Sequence, residues 1–151
     1  MIALLRVLWA FSALFLFSCA PEKPQPIKLG EDVCEYCKMV IADKRFAAEV
    51  ITKKGKIYKF DAIECMVGYY NENEENIKKA YVVNFNAPDE FLPADEAYYV
   101  RSPQIRSPMG MNISAYRSRE DAQKAIMGKQ GEILEWQTLR ELIKKEYGVS
   151  H

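Results

Sequence analysis

R-F-A-A-E-V-I-T-K-K-G-K-I-Y-K-F-D-A-I-E-C-M, residues 45 to 66, decides the fold class because its periodicity changes partway through. Residues 45–52 are rich in apolar and β-branched side chains, K-K-G-K (53–56) is a turn, and I-Y-K-F (57–60) follows, which is the pattern of a β-hairpin. From Asp61 the spacing turns helical. Asp61 reads as an N-cap with Glu64 at the third helical position, and Ile63, Met66, Val67 and Tyr70 recur at helical intervals. A helix is expected over about 62–71, then E-N-E-E (72–75) as a solvated loop, then A-Y-V-V-N-F (80–85) as a strand. The order is β-β-α-β.

Downstream the order repeats. A-Y-Y-V-R (97–101) and N-I-S-A-Y-R (112–117) read as strands, S-R-E-D (118–121) starts a helix to about 127, and G-E-I-L-E-W (131–136) is a strand. T-L-R-E-L-I-K-K-E-Y (138–147) is a last helix that opens on a T-x-x-E box and stops at Gly148. The expected fold is α+β: two β-β-α-β units, each a small, mostly antiparallel sheet with a helix, plus a C-terminal helix. The units take residues 34–86 and 87–147, joined through the Pro-bearing N-A-P-D-E-F-L-P (86–93).

Upstream, Arg6 precedes a run from Val7 to Phe17 that is apolar except for Ser12 and ends at Ser18-Cys19. That run is shorter than the roughly 20 residues a membrane span needs, so residues 1–18 read as a signal peptide. L-F-S-C (16–19) reads as a lipobox, which makes Cys19 the expected lipidation site; a plain signal peptide with an unmodified Cys19 is the alternative. Residues 19–33, with Pro21, Pro24 and Pro26 among charged neighbours, read as a stiff, polar, solvated tether. The chain carries 21 Lys and Arg against 21 Asp and Glu, and losing Arg6 leaves it near neutral. Without a dominant basic stripe there is no electrostatic case for nucleic acid.

An exported chain lives under oxidising conditions, and with Cys19 acylated three thiols remain: Cys34, Cys37 and Cys65. An odd number leaves at least one outside any disulfide. C-E-Y-C-K-M (34–39) can close a bridge, act as a redox pair or supply half a zinc site. Zinc lacks a second ligand pair, since the one histidine is the terminal His151. A thioredoxin-like pair sits at a helix start after a strand, whereas this one precedes a strand. Met39 adds a thioether, and thiolate with thioether favours Cu(I) over harder divalent ions. Cys65 lies off the apolar stripe of its helix and can face the loop; Met66 lies on it and reads as core. Met109, in the turn S-P-M-G-M (107–111), is either a further soft donor or a cap over the core. No nucleophile elbow, Walker loop or dinucleotide fingerprint occurs, and no internal histidine can serve as a general base.

Taken in order, Cys19, the C-x-x-C-x-M loop, F-D-A-I-E-C-M (60–66), Y-V-R-S (99–102) with S-P-M-G (107–110), and G-E-I-L-E-W resemble the NosL family of copper-binding accessory lipoproteins of nitrous oxide reductase assembly. The resemblance runs from residue 19 to about 143. It implies paired β-β-α-β units like those of the organomercury lyase fold, and export with a lipid anchor to the membrane, facing the periplasm or the outer face of the cell membrane. It also implies delivery of Cu(I) to the apo form of nitrous oxide reductase, a carrier's role and not an enzyme's. The family's C-G-M falls on Cys37, Lys38 and Met39, and its P-M-G on Pro108, Met109 and Gly110. Lys38 replaces the usual Gly, and Cys34 stands where many members have a nearby His, so Cys34, Cys65 and Met109 compete as third ligand. Two other classes stay open: a thiol-dependent enzyme, either exchanging disulfides through Cys34 and Cys37 or cleaving a carbon–metal bond with Cys37, Cys65 and Asp61, and a structural protein whose Cys34–Cys37 bridge pins a loop.

Overall fold

The computed structural model describes residues 22–148; the signal segment 1–18 and Cys19 lie outside them. The hairpin forms as β1 (Ala48–Thr52) and β2 (Ile57–Phe60), followed by α1 (Ile63–Asn73) and β3 (Ile77–Asn84). The second unit is β5 (Tyr98–Arg101), β6 (Ile113–Tyr116), α2 (Arg119–Ile126) and β7 (Glu132–Leu134), and α3 (Trp136–Tyr147) closes the chain. Both units keep the β-β-α-β order expected from the sequence, in an α+β fold with two antiparallel sheets.

One connector becomes a strand. Residues Ala87–Pro93 form β4 and pair with β3 through Val82↔Leu92 and Val83↔Phe91, so the first sheet runs β2-β1-β3-β4 and the second β6-β5-β7. Pro88 and Pro93 suggested a linker, but β4 is an edge strand, where a residue without an N–H is tolerated. These residues therefore close the first sheet and do not open the second unit.

The core lies between the sheets. Ala48, Val50, Phe60 and Val82 from the first sheet meet Ile63, Met66 and Val67 of α1, Leu139 and Ile143 of α3, and Tyr99, Ile113, Ala115 and Leu134 of the second unit. Burying each large apolar side chain contributes about 1.5–3 kcal/mol, so the shared core welds the two units. Met66 is core, as its stripe position indicates.

The tether is not free. Its residues are mostly exposed and polar, as composition suggests, but residues 22–32 cross the outer face of the first sheet. The Gln25 N–H donates to Glu49 Oε1 at 2.8 Å, Lys59 Nζ donates to the Pro26 carbonyl at 2.9 Å and to Asp32 at 2.8 Å, and Ile27 is buried with Ile41, Ala47 and Val83. Glu49 is fully buried with Oε2 unpartnered, and desolvation pushes its carboxyl up to about 7.

Two helix ends also differ from expectation. E-N-E-E is not a loop: α1 continues through Asn73 into a short 3-10 turn, Glu72 accepts from the Tyr36 hydroxyl, and Glu74 pairs with Arg140. α3 starts at Trp136, before the T-x-x-E box.

Candidate metal centre

The loop 34–39 is the tip of a tight hairpin. Val33 and Val40 bridge as in a sheet, the Cys34 N–H donates to the Met39 carbonyl at 2.8 Å, and the Lys38 N–H donates back to the Cys34 carbonyl at 3.0 Å. Closing so small a loop puts Lys38 at φ +64°, left-handed backbone that costs an L-residue about 1–2 kcal/mol. A glycine would take that conformation without the steric cost. The loop is tied down at both flanks. The Glu35 N–H donates to the Lys59 carbonyl of β2, and the Tyr36 ring lies against Gly68 of α1, where an added Cβ would come within 3.0 Å of it.

This anchoring carries Cys34 and Cys37 to the start of α1. The Cys34, Cys37 and Cys65 sulfurs and an Asp61 carboxylate oxygen all lie within 4.8 Å of one another. Cys34, Cys65 and Asp61 are buried, Cys37 is partly exposed, and all three thiols are free. Asp61 does not cap the helix. Ala62 is at the cap position with no side-chain hydrogen bond, and Asp61 Oδ1 accepts from the Cys37 thiol at 3.3 Å. The residue that resembles a helix cap is thus part of the thiol site.

The three thiols are electrostatically unequal. Cys34 collects donors, namely the Cys65 thiol and the backbone N–H groups of Cys37 and Asp61, which together hold its pKa down at about 6 against the cost of burial. Cys37 is pushed up to about 11 by desolvation, and by hydrogen bonding to Cys34 and Asp61. Cys65 is raised by its hydrogen bond to Cys34 and by burial. Cys34 is thus the most readily ionised of three thiols gathered beside the Asp61 side chain, a compact set dominated by soft donors that suits a thiophilic cation.

The two candidate thioethers are more exposed than the thiols. Met39 is 53% exposed on the loop, and Met109 is 38% exposed on its turn. Leu29, Val33 and Val40 are about half exposed, with Val33 and Val40 at the base of the loop. The Met109 turn is docked on α1: Glu64 Oε1 accepts from the Ser107 hydroxyl at 2.8 Å and from the Met111 N–H at 3.2 Å. Burial raises the Glu64 pKa, and its Oε2 has no partner. Among the residues singled out from the sequence, the structure unites Cys34, Cys37 and Cys65, together with the Asp61 of the enzyme alternative. Glu64, Tyr36 and Gly68 had no sequence signal beyond helix-box and packing patterns.

The sequence profile of the NosL family matches residues 26–143. No curated protein matches. A solved structure, the copper chaperone NosL from Shewanella denitrificans, is similar with a TM-score of 0.67 and 22% identity, over 78% of this chain and 95% of that one. At that identity the likeness carries the fold: the same paired α+β units.

Proposed function

This chain belongs to the NosL family, and on that premise we propose that it is a copper chaperone that carries one Cu(I) on the thiol cluster at the start of α1. The observation that carries the reading is the convergence of Cys34, Cys37 and Cys65 with Asp61, the Cys37 thiol being partly exposed. Cys34 supplies a thiolate, Cys37 the accessible one from which a partner takes the ion, and Cys65 the buried floor. Asp61 is a hard donor, better suited to orienting Cys37 by hydrogen bonding than to binding Cu(I) itself. Met39 and Met109 are weak, exchangeable outer donors, which fits a cargo that must be released.

In the fuller proposal Cys19 is lipidated, the body is held at the membrane facing the periplasm or the outer face of the cell membrane, and the copper goes to apo nitrous oxide reductase. The support is the lipobox and the resemblance; mass spectrometry and detergent partitioning of the native protein test the anchor, and reactivation of apo reductase by copper-loaded protein tests the acceptor. A carrier and not an enzyme is the class that family membership favours.

Anaerobic titration against a Cu(I) chelator tests the central reading. One tightly bound Cu(I) is expected, with Zn(II) and Cu(II) far weaker. Loading at neutral pH releases protons from Cys37 and Cys65, so affinity falls as pH falls. Unchanged binding in Cys37→Ser contradicts the site, and catalytic reduction of insulin by dithiothreitol through the protein contradicts the carrier class.

A further inference from the structure

The thiols all belong to the first unit, whereas Met109 belongs to the second. Something must register the two across the site. The 107–112 turn is rigid in itself: the Ser107 N–H donates to Asn112 Oδ1, the Asn112 N–H donates to Ser107 Oγ, and the Gly110 N–H donates to the Ser107 carbonyl. Gly110 and Asn112 take positive φ, +85° and +59°, which sets the tip that displays Met109. This preformed turn meets α1 through one carboxylate oxygen. Glu64 Oε1 receives Ser107 on one side of Met109 and Met111 on the other, and Glu64 is the residue immediately before Cys65.

Such an arrangement is costly. Glu64 is fully buried, and leaving Oε2 without a partner costs about 1–3 kcal/mol. An apolar side chain here would avoid that loss but leave the Ser107 hydroxyl and the Met111 N–H without their acceptor, so the carboxylate is what joins the turn to α1. Its two bonds flank Met109 in sequence, and they are made by the residue directly before Cys65.

The geometry points to Glu64 as the positioning residue that clasps the Met109 turn onto α1 and so presents the Met109 thioether to copper held by the cysteines. The inference rests on the copper-chaperone reading and adds to it a residue that touches no metal. Glu64 acts through Met109: with the clasp the thioether is delivered at a fixed place, and without it the turn loses its hold on α1.

The test uses Cu(I) competition titrations on the parent, Glu64→Ala, Glu64→Gln, Met109→Leu and the double variant Glu64→Ala/Met109→Leu. Supporting groups of this kind alter metal affinity by about 10-fold or more. Glu64→Ala is expected to weaken Cu(I) binding by about the same factor as Met109→Leu, and the double variant to bind no more weakly than either, since both remove one interaction. Glu64→Gln keeps an acceptor oxygen for Ser107 and Met111 and is expected to restore parent affinity. Ser107→Ala, which leaves the core filled, gives a smaller loss in the same direction and serves if Glu64→Ala does not fold. A readout that mere destabilisation would not move comes from selenomethionine-labelled protein carrying Met39→Leu. Selenium X-ray absorption is expected to show a selenium–copper vector that disappears in both Glu64→Ala and Met109→Leu. A vector that survives Glu64→Ala, one that survives Met109→Leu, no vector before Glu64 is changed, or additive losses in the titration each overturn the inference. Copper binding by the parent that depends on Cys37 would leave the chaperone reading standing in every one of those cases.

Discussion

The two units share an element order, yet their first helices begin in opposite ways. α2 starts on Ser118, whose hydroxyl accepts from the Asp121 N–H, an ordinary N-cap that satisfies an orphan donor. α1 starts on Ala62 with no side-chain cap, while its neighbours Asp61, Glu64 and Cys65 are buried and engaged elsewhere, with Cys37, with the Met109 turn and with Cys34. Polar side chains at a helix start usually serve the helix. In the first unit they serve a site, and the second unit shows what the same place looks like when it does not.

Substitutions can break or sharpen that contrast. The largest effect is expected from Cys37→Ser, which replaces a soft charged donor by a hard neutral one. Cu(I) affinity should fall by more than the roughly 100-fold upper range of supporting residues, measured by chelator competition. Next comes a paired test of the two helix starts. Asp61→Ala is expected to cost about 10-fold in copper affinity with little change in urea stability beyond its burial, because no cap is lost. Ser118→Ala is expected to cost about 1 kcal/mol of stability and nothing in copper affinity. If Asp61→Ala behaves like Ser118→Ala in both measurements, the contrast is false.

Gly68→Ala probes the loop's seat on α1. The new Cβ presses on Tyr36, between Glu35 and Cys37, and is expected to weaken Cu(I) binding a few-fold while the helix gains from the replacement. The smallest effect lies away from the site. Glu49 is raised to about 7 from the ordinary 4.5 by burial, so the folded state holds its proton more tightly than the unfolded one. The resulting stabilisation is complete below about 4.5 and is lost as pH rises through about 7. Glu49→Gln is expected to flatten that part of the Tm-against-pH curve. Identical slopes in parent and variant would contradict the burial argument.

The elements were legible where local pattern and tertiary demand agree. The β1–β2 hairpin, the stripe of α1 and the second unit's strands follow from period and turn chemistry, although residues 44–46, read in part as the start of the first strand, form a 3-10 turn instead. β4 was hidden because two prolines look like a linker until an edge is available to hold them. The docked tether was hidden because nothing local marks Gln25 or Pro26 as partners of Glu49 and Lys59. At the site, C-x-x-C-x-M and an off-stripe Cys65 were readable as candidates. Asp61 read first as a cap, because sequence spacing cannot distinguish an oxygen that accepts from its own helix from one that accepts from a thiol 24 residues away. Glu64 was disguised in the same way, as the third residue of a capping box.

Copper X-ray absorption on the anaerobically loaded protein tests the central claim most directly, namely that the start of α1 with the 34–39 loop holds one Cu(I) through sulfur. The parent is expected to show a low-coordinate, all-sulfur shell that loses a short thiolate contact in Cys37→Ser and is unaltered in Ser118→Ala. A shell dominated by nitrogen or oxygen, or a spectrum that Cys37→Ser leaves unchanged, would contradict that claim.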